Sequence, residues 1–267
     1  MKEINEVYQN LINDLLSKGT KVGNTTELLN YSFKLENIKD NVVSIEGRHQ
    51  PHYTIGELLW YLEGRNDVNF ISKFGSYWNK ITDDGVTNNS AYGYIIHSKF
   101  GYDQLELAIR QLEEDPNSRR AIININTPSS NKIITRDLQC TVSLHPYIRN
   151  NKVHMTAIMR SNDVITGVPF DITYFTLLQK IIAKRLGLET GTYTHFDVSL
   201  HLYDRNLEAA KELVTAKEIP VEYNLERLLD KDVRARLCYA VDKHWDEVGK
   251  AGFLSLCEDL GIIRYIN

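Results

Sequence analysis

Residues 160–171 read RSNDVITGVPFD. Arginine, serine and aspartate stand before a Gly-x-Pro turn, and Asp171 then opens a strongly apolar helix over 170–186, with Tyr174, Leu177, Leu178, Ile181 and Ile182 at helical spacing. The run grows out of KVHMTAIMRS (152–161), in which Val153, Met155, Ala157 and Met159 share one face and His154, Thr156, Ile158 and Arg160 the other. TVSLHPYI (141–148) precedes it across an Arg-Asn-Asn turn, so the two segments read as a hairpin. Beyond the helix, THFDVSLHLY (194–203) is a further strand, with His201 and Tyr203 alternating against Leu200 and Leu202. Strands around a buried helix point to one α+β domain over 1–267, with a large, mixed, mostly antiparallel sheet.

The first half of the chain is read with the same rules. Ile4, Val7, Leu11, Ile12 and Leu15 form a helical stripe over 3–16, and GTKVGNTTE (19–27) follows as a Gly/Thr-rich loop. That loop either joins helix to sheet or touches phosphate through Lys21. TIGELLWYLE (54–63) reads as a helix with Thr54 as its N-cap. Residues 69–98, rich in aromatics and Asp-Asp-Gly and Asn-Asn turns, read as a long irregular segment of the kind that carries function. A helix over 103–114 ends at DPNSRR (115–120), and AIININ (121–126) reads as a strand. Residues 206–216 are helical, the tail holds one or two more helices, and no internal repeat or linker interrupts the chain.

Composition narrows the function. With 267 residues, 42% hydrophobic and 25% charged, the chain buries an ordinary core, which excludes wholesale disorder, collagen and a coiled-coil rod. Thirty-one basic against 35 acidic residues give a net charge of −4, so no nucleic-acid partner is expected, although a local basic pocket is compatible with it. No apolar run is long enough to span a bilayer, and the polar start has no signal core, so no membrane partner is expected. Three scattered cysteines without a C-x-x-C pair, and eight histidines without ligand spacing, predict a reduced cytoplasmic protein with no metal.

No single residue decides the chemistry. A lone cysteine such as Cys140 is most often a small buried hydrophobe; as a nucleophile it needs a nearby cation to favour the thiolate. Arg160, Arg119 and Arg120 are candidates, and guanidinium forks together with a cysteine suit a phosphate-bearing substrate. Asp171 is either a helix-start carboxylate stabilised by the dipole or a carboxylate that reads a ligand. His201 and Tyr203 suit the polar wall of a pocket, and equally the solvated face of a half-buried strand.

Together these pieces resemble the thymidylate synthase superfamily. A cysteine at 140 is followed by R-S-x-D at 160–163, G-x-P-F at 167–170 and H-x-Y at 201–203. Upstream stand E-L-L-W at 57–60, a Trp at 78, Tyr-Gly at 92–93 and S-R-R at 118–120. The resemblance covers roughly residues 3–215 and implies a three-layer α/β/α fold and a homodimer whose interface is a sheet face; 216–267 diverge. It implies that Cys140 adds to C6 of a pyrimidine nucleotide monophosphate, with Arg160 and Ser161 on its phosphate and Arg119 and Arg120 reaching in from the partner subunit. His201 and Tyr203 would bind the sugar hydroxyl, Glu57 would order a proton network near the base, and Tyr92 would sit by the departing C5 proton. Asp163, Trp78 and Gly167 would lie near the folate, 5,10-methylenetetrahydrofolate.

Departures from the family pattern refine this. Synthases carry asparagine where this chain has Asp171; its amide satisfies both the N3 donor and the O4 acceptor of uracil. An ionised aspartate only accepts, which suits the 4-amino donor of cytosine, as in the family's cytidylate hydroxymethylases. Such pairing discriminates strongly, because an unpaired buried polar group costs about 1–3 kcal/mol. Thr141 replaces a histidine beside the nucleophile, Lys21 stands for a loop arginine with weaker or no phosphate contact, and GIIRYIN replaces the synthases' apolar terminus. The resemblance therefore implies a 5-hydroxymethyltransferase of dCMP or CMP, in which water ends the reaction. Ser161 and the Arg119–Arg120 pair favour dCMP. A synthase acting on dUMP and an idle nucleotide-binding homologue are the alternatives.

Overall fold

The structure, a computed structural model, describes residues 1–130 and 134–266. In chain order its elements are α1 (Glu3–Lys18), β1 (Thr20–Val22), β2 (Thr25–Leu35), α2 (Pro51–Leu62), α3 (Val68–Ile71), α4 (Trp78–Ile81), α5 (Tyr92–His97), α6 (Gln104–Glu114) and β3 (Ile123–Asn124). There follow β4 (Thr141–Arg149), β5 (Lys152–Met159), β6 (Asn162–Asp163), α7 (Val168–Leu186), β7 (Glu189–Tyr203), α8 (Leu207–Leu213), β8 (Val221–Tyr223), α9 (Lys231–Asp259) and β9 (Ile263–Tyr265). They group into two compact units. One comprises Met1–His49, Asp103–Pro128 and Gln139–Ile219; the other comprises Gln50–Tyr102, Ser129–Leu138 and Pro220–Asn267.

The first unit holds the large sheet, seven-stranded among the described residues, in the order β1-β2-β7-β5-β4-β3 with β6 also on β7. Only the β5–β7 and β6–β7 ladders are parallel, so the sheet is mixed and mostly antiparallel, as the sequence implies. Asn150 and Asn151, at φ 52° and 60°, make the two-residue turn of the β4–β5 hairpin, a turn that needs left-handed backbone at both positions. Val153, Met155, Ala157 and Met159 are fully buried, the face predicted from their alternation. α7 closes over them. The amide of its fully buried Gln179 donates to the carbonyls of Val153 (2.8 Å), Gly191 (3.2 Å) and Thr192 (3.2 Å). The helix begins at Val168 because Pro169 belongs in a first turn, where its missing N–H is not needed, and ends at Gly187 in a left-handed cap.

The alternation slips once in β7. Gly191, Tyr193, His195 and Asp197 are buried, and then Leu200 and Leu202, with exposed Val198 and half-buried Ser199 between. At the same level Asn30 of β2 takes a positive φ of 52°, and β5 gives way at Arg160 before β6 resumes the pairing. Tyr193, His195 and Asp197 therefore face inward before the slip, and His201 and Tyr203 outward after it.

Four local expectations are corrected. Residues 19–27 are not simply a loop: Gly23, at φ 57°, turns β1 back on β2, and the strand continues to Leu35. Most residues of β2 are half-buried or exposed, so no clean period marked it. The helix expected at 54–63 starts at Pro51, and Thr54 does not cap it; its hydroxyl bonds back to the Gln50 carbonyl (3.1 Å) inside the first turn. Residues 69–98 contain short helices at 78–81 and 92–97, and the strand expected over 121–126 is regular only at Ile123–Asn124, with the N–H groups of Ile125 and Asn126 both donating to the Val142 carbonyl.

The second unit is mainly helical. Phe74 packs edge-on against Trp245 (5.1 Å) and Phe253 (5.0 Å) of α9, and Gly56 of α2 has no side chain because a Cβ there would meet the Phe74 ring at 2.5 Å. α9 is interrupted at His244 and at Gly249, whose φ is 54°, and β8 pairs with β9. These two strands were not anticipated; three residues each are too short to show a period.

Candidate functional site

In the first unit the structure gathers residues that lie far apart in sequence. Cys140 precedes β4 and is half-buried; Arg160 leaves the end of β5 directly beside it. The Arg160 backbone N–H donates to the Cys140 carbonyl (2.9 Å), and its Nε donates to the Gln139 carbonyl (2.8 Å). Its remaining fork brings Nη2 to 3.8 Å from Cys140 Sγ. A cation so held stands where it stabilises negative charge on sulfur.

Residues 160–167 then fold back on β7. Asn162 and Asp163 pair with Leu200 and His201, which sets Ser161 Oγ 3.3 Å from Nδ1 of His201. The His201 ring in turn meets Tyr203 edge-on (5.2 Å). Asp163 accepts from the Ile165 N–H (2.8 Å) and the Thr166 hydroxyl (2.7 Å), which closes the turn to Gly167. Gly167 is required: a Cβ there would lie 2.1 Å from Asn162 Oδ1. Asp171 follows one turn into α7, its N–H on the Gly167 carbonyl (3.0 Å). It is half-buried, and its charge is felt by Tyr193 on β7: burial first, then Asp171 and Asp197, hold that phenol well above its usual range. Arg119 and Arg120 are exposed, and Lys21 is ion-paired with Asp204.

In the second unit Glu57 is buried on α2, where it accepts from the Tyr53 hydroxyl (2.7 Å). That hydroxyl accepts from the indole N–H of buried Trp78 (3.0 Å), so the three form a chain. Buried Tyr92 stacks on Tyr61 (5.5 Å). Next to it Gly93 allows α5 to touch α2, since a Cβ would come within 2.0 Å of the Tyr61 carbonyl oxygen.

Sequence reasoning missed one polar cluster. His195, fully buried, stacks on Phe33 (4.8 Å) and places Nδ1 2.7 Å from the Tyr193 hydroxyl. Its Nε2 lies 3.2 Å from both Asp197 Oδ1 and Asn162 Nδ2. The available signal was His-x-Asp at positions that alternate with Tyr193 on one face of the strand. Among the described residues no group of histidine, cysteine and carboxylate side chains could hold a metal ion, and no helix is long and apolar enough to cross a membrane.

The chain is similar to several known proteins. A deoxyuridylate hydroxymethyltransferase of Bacillus phage SP01 is 26% identical over 86% of this chain and 67% of its own length. One of Pseudomonas phage M6 is 29% identical over 64% of this chain, which spans half of that relative's length. A thymidylate synthase of Wigglesworthia glossinidia brevipalpis is 29% identical over 80% of this chain and 85% of its own. A thermostable thymidylate synthase A from Bacillus subtilis has the same fold, with a TM-score of 0.67 and 24% identity over 84% of this chain and 89% of that one. The sequence profile described as Thymidylate synthase matches residues 6–233, from α1 through the start of α9, and so takes in the cysteine, the R-S-N-D turn and both ends of β7: the chain belongs to the thymidylate synthase family.

Proposed function

We propose that this chain is a 5-hydroxymethyltransferase of cytosine nucleotides, converting dCMP (or CMP), 5,10-methylenetetrahydrofolate and water to 5-hydroxymethyl-(d)CMP and tetrahydrofolate. The observation that carries the base assignment is a carboxylate, Asp171, in the first turn of α7, where the family's synthases have an amide. In this reading Cys140 adds to C6, which breaks the ring's aromaticity and makes C5 nucleophilic. Arg160 favours the thiolate and, with Ser161, holds the phosphate. Asp171 accepts from the 4-amino group, and a proton shared with N3 draws electrons from the ring. His201 and Tyr203 hold the sugar hydroxyl. Glu57 orders the proton network near the base, and Tyr92 attends the departing C5 proton.

The folate supplies the one-carbon unit. Asp163 fits a role in holding it, because each carboxylate oxygen has one short-range donor and retains acceptor capacity. Gly167 adds no bulk there. Trp78 fits as an edge only, since its N–H is already given to Tyr53. The protein acts as a homodimer through the sheet face that bears half-buried Tyr147, Ile158 and Phe196 and exposed Val198, an apolar set in need of cover. In the dimer, exposed Arg119 and Arg120 cross to the partner's phosphate. Lys21 is occupied by Asp204 and contributes little to phosphate binding.

A second reading has its own support, the two phage relatives named as deoxyuridylate hydroxymethyltransferases. A neutral Asp171 would present one donor and one acceptor, as an amide does, and would then read uracil. Mass spectrometry of products from CMP, dCMP, UMP and dUMP with methylenetetrahydrofolate separates the two. Addition of formaldehyde to cytosine nucleotides alone is expected; hydroxymethylated uracil would transfer the assignment to the second reading, and methylated uracil would overturn both.

A further inference from the structure

Two histidines of β7 hold consecutive residues of the R-S-N-D turn. His201 meets Ser161 on the outward face, and His195 meets Asn162 on the inward face. Adjacent residues of an extended segment point to opposite sides, so both contacts require histidines of opposite orientation. The slip in alternation at Val198–Ser199 supplies that orientation. His195 itself has little freedom: its ring is stacked on Phe33, with one nitrogen at the Tyr193 hydroxyl and the other at Asp197. A second oxygen of Asp197 is buried with no hydrogen-bond partner, so the cluster holds a polar group that a packed apolar core would not retain. Asn162 is buried too, and its Oδ1 fills the space that a side chain at position 167 would take.

We propose that His195 is a positioning residue: with Nδ1–H given to the Tyr193 hydroxyl and Nε2 left to accept, it takes a hydrogen bond from the Asn162 amide and thereby sets Ser161 on the outward side of the turn. The proposal rests on the reading of this turn as the nucleotide-binding loop. It acts on how well any pyrimidine nucleotide monophosphate is held, not on which base is chosen.

The test uses the full-length chain, titrated calorimetrically with dCMP and with dUMP, alongside melting temperature and steady-state kcat and KM. Asn162→Ala and His195→Phe are expected to weaken the better-bound nucleotide about tenfold in the folded protein, mainly in KM, with the dCMP:dUMP ratio unchanged. His195→Gln, which restores a polar partner for Asn162, is expected to recover a large part of that loss. His195→Phe leaves Asp197 without its histidine and can fail to fold; Asn162→Ala then decides. Affinity within twofold of wild type in folded Asn162→Ala, or a loss in His195→Phe that His195→Gln does not recover, would reduce the cluster to core packing. A wild-type preference for dUMP would overturn the base assignment alone and leave the variant-to-wild-type ratios to decide this one.

Discussion

His195 and His201 lie on one strand, six residues apart. One is fully buried against Phe33 and Asp197; the other is half-buried beside Ser161 and Tyr203. An uninterrupted strand would turn both to the same side, because six is an even number of residues. The slip at Val198–Ser199 parts them, and with them two sets of side chains. The inward set, Tyr193, Asp197 and Gln179, sits in the core and should govern stability, while His195, inward as well, links it to the turn through Asn162. The outward set, with Cys140 and Arg160 at its edge, is half-buried or exposed and should govern binding and turnover. What distinguishes a site from a core here is which side of the slip a residue falls on, not its chemical type.

Substitutions can break that division. The largest effect is expected for Cys140→Ser on the outward side: turnover should fall by more than about a thousandfold with little change in melting temperature. A variant that still releases tritium from C5-labelled nucleotide would remove the covalent mechanism. Asp171→Asn should move preference from cytosine toward uracil nucleotides by about 1–3 kcal/mol, read as the ratio of kcat/KM for dCMP and dUMP. An unchanged ratio would end the proposal that this carboxylate reads the base.

Away from the cysteine and the R-S-N-D turn, Gly191→Ala at the buried start of β7 should destabilise the fold by about 1–3 kcal/mol, because the new methyl would lie 2.4 Å from the His154 ring. Chemical denaturation measures it, and the folded fraction should bind nucleotide as wild type does. His201→Ala, in contrast, should raise KM about tenfold through a lost hydrogen bond while leaving the denaturation midpoint in place. A loss of stability as large as that of Gly191→Ala would erase the distinction between site and scaffold. Lys21→Ala marks the small end. Its ion pair with Asp204 is half-exposed on both sides, so stability should change by less than about 0.5 kcal/mol and nucleotide affinity less than twofold.

The hairpin, the helix after Gly-x-Pro and the strand ending in H-x-Y were legible because each carries a clear period or an unambiguous turn. Asn150 and Asn151 take the left-handed backbone that their side chains tolerate best after glycine, and Pro169 and Gly187 bound α7 as their restricted and permissive backbones require. β2 was not legible, since its two faces are nearly equally exposed and no period forms. β8 and β9 are too short to have one.

The amino-acid sequence alone determined the set of chemical groups: a cysteine, the arginines, and a carboxylate where an amide is usual. It determined the local turns as well, because those follow from the backbone preferences of a few residues. Only the tertiary structure decided that Arg160 stands at the Cys140 sulfur and that two histidines on one strand face opposite ways. It also decided that a buried His195 meets Asn162. Those placements depend on strand pairing and on a slip shared by neighbouring strands. Both are settled by long-range packing, and no local pattern of residues records them.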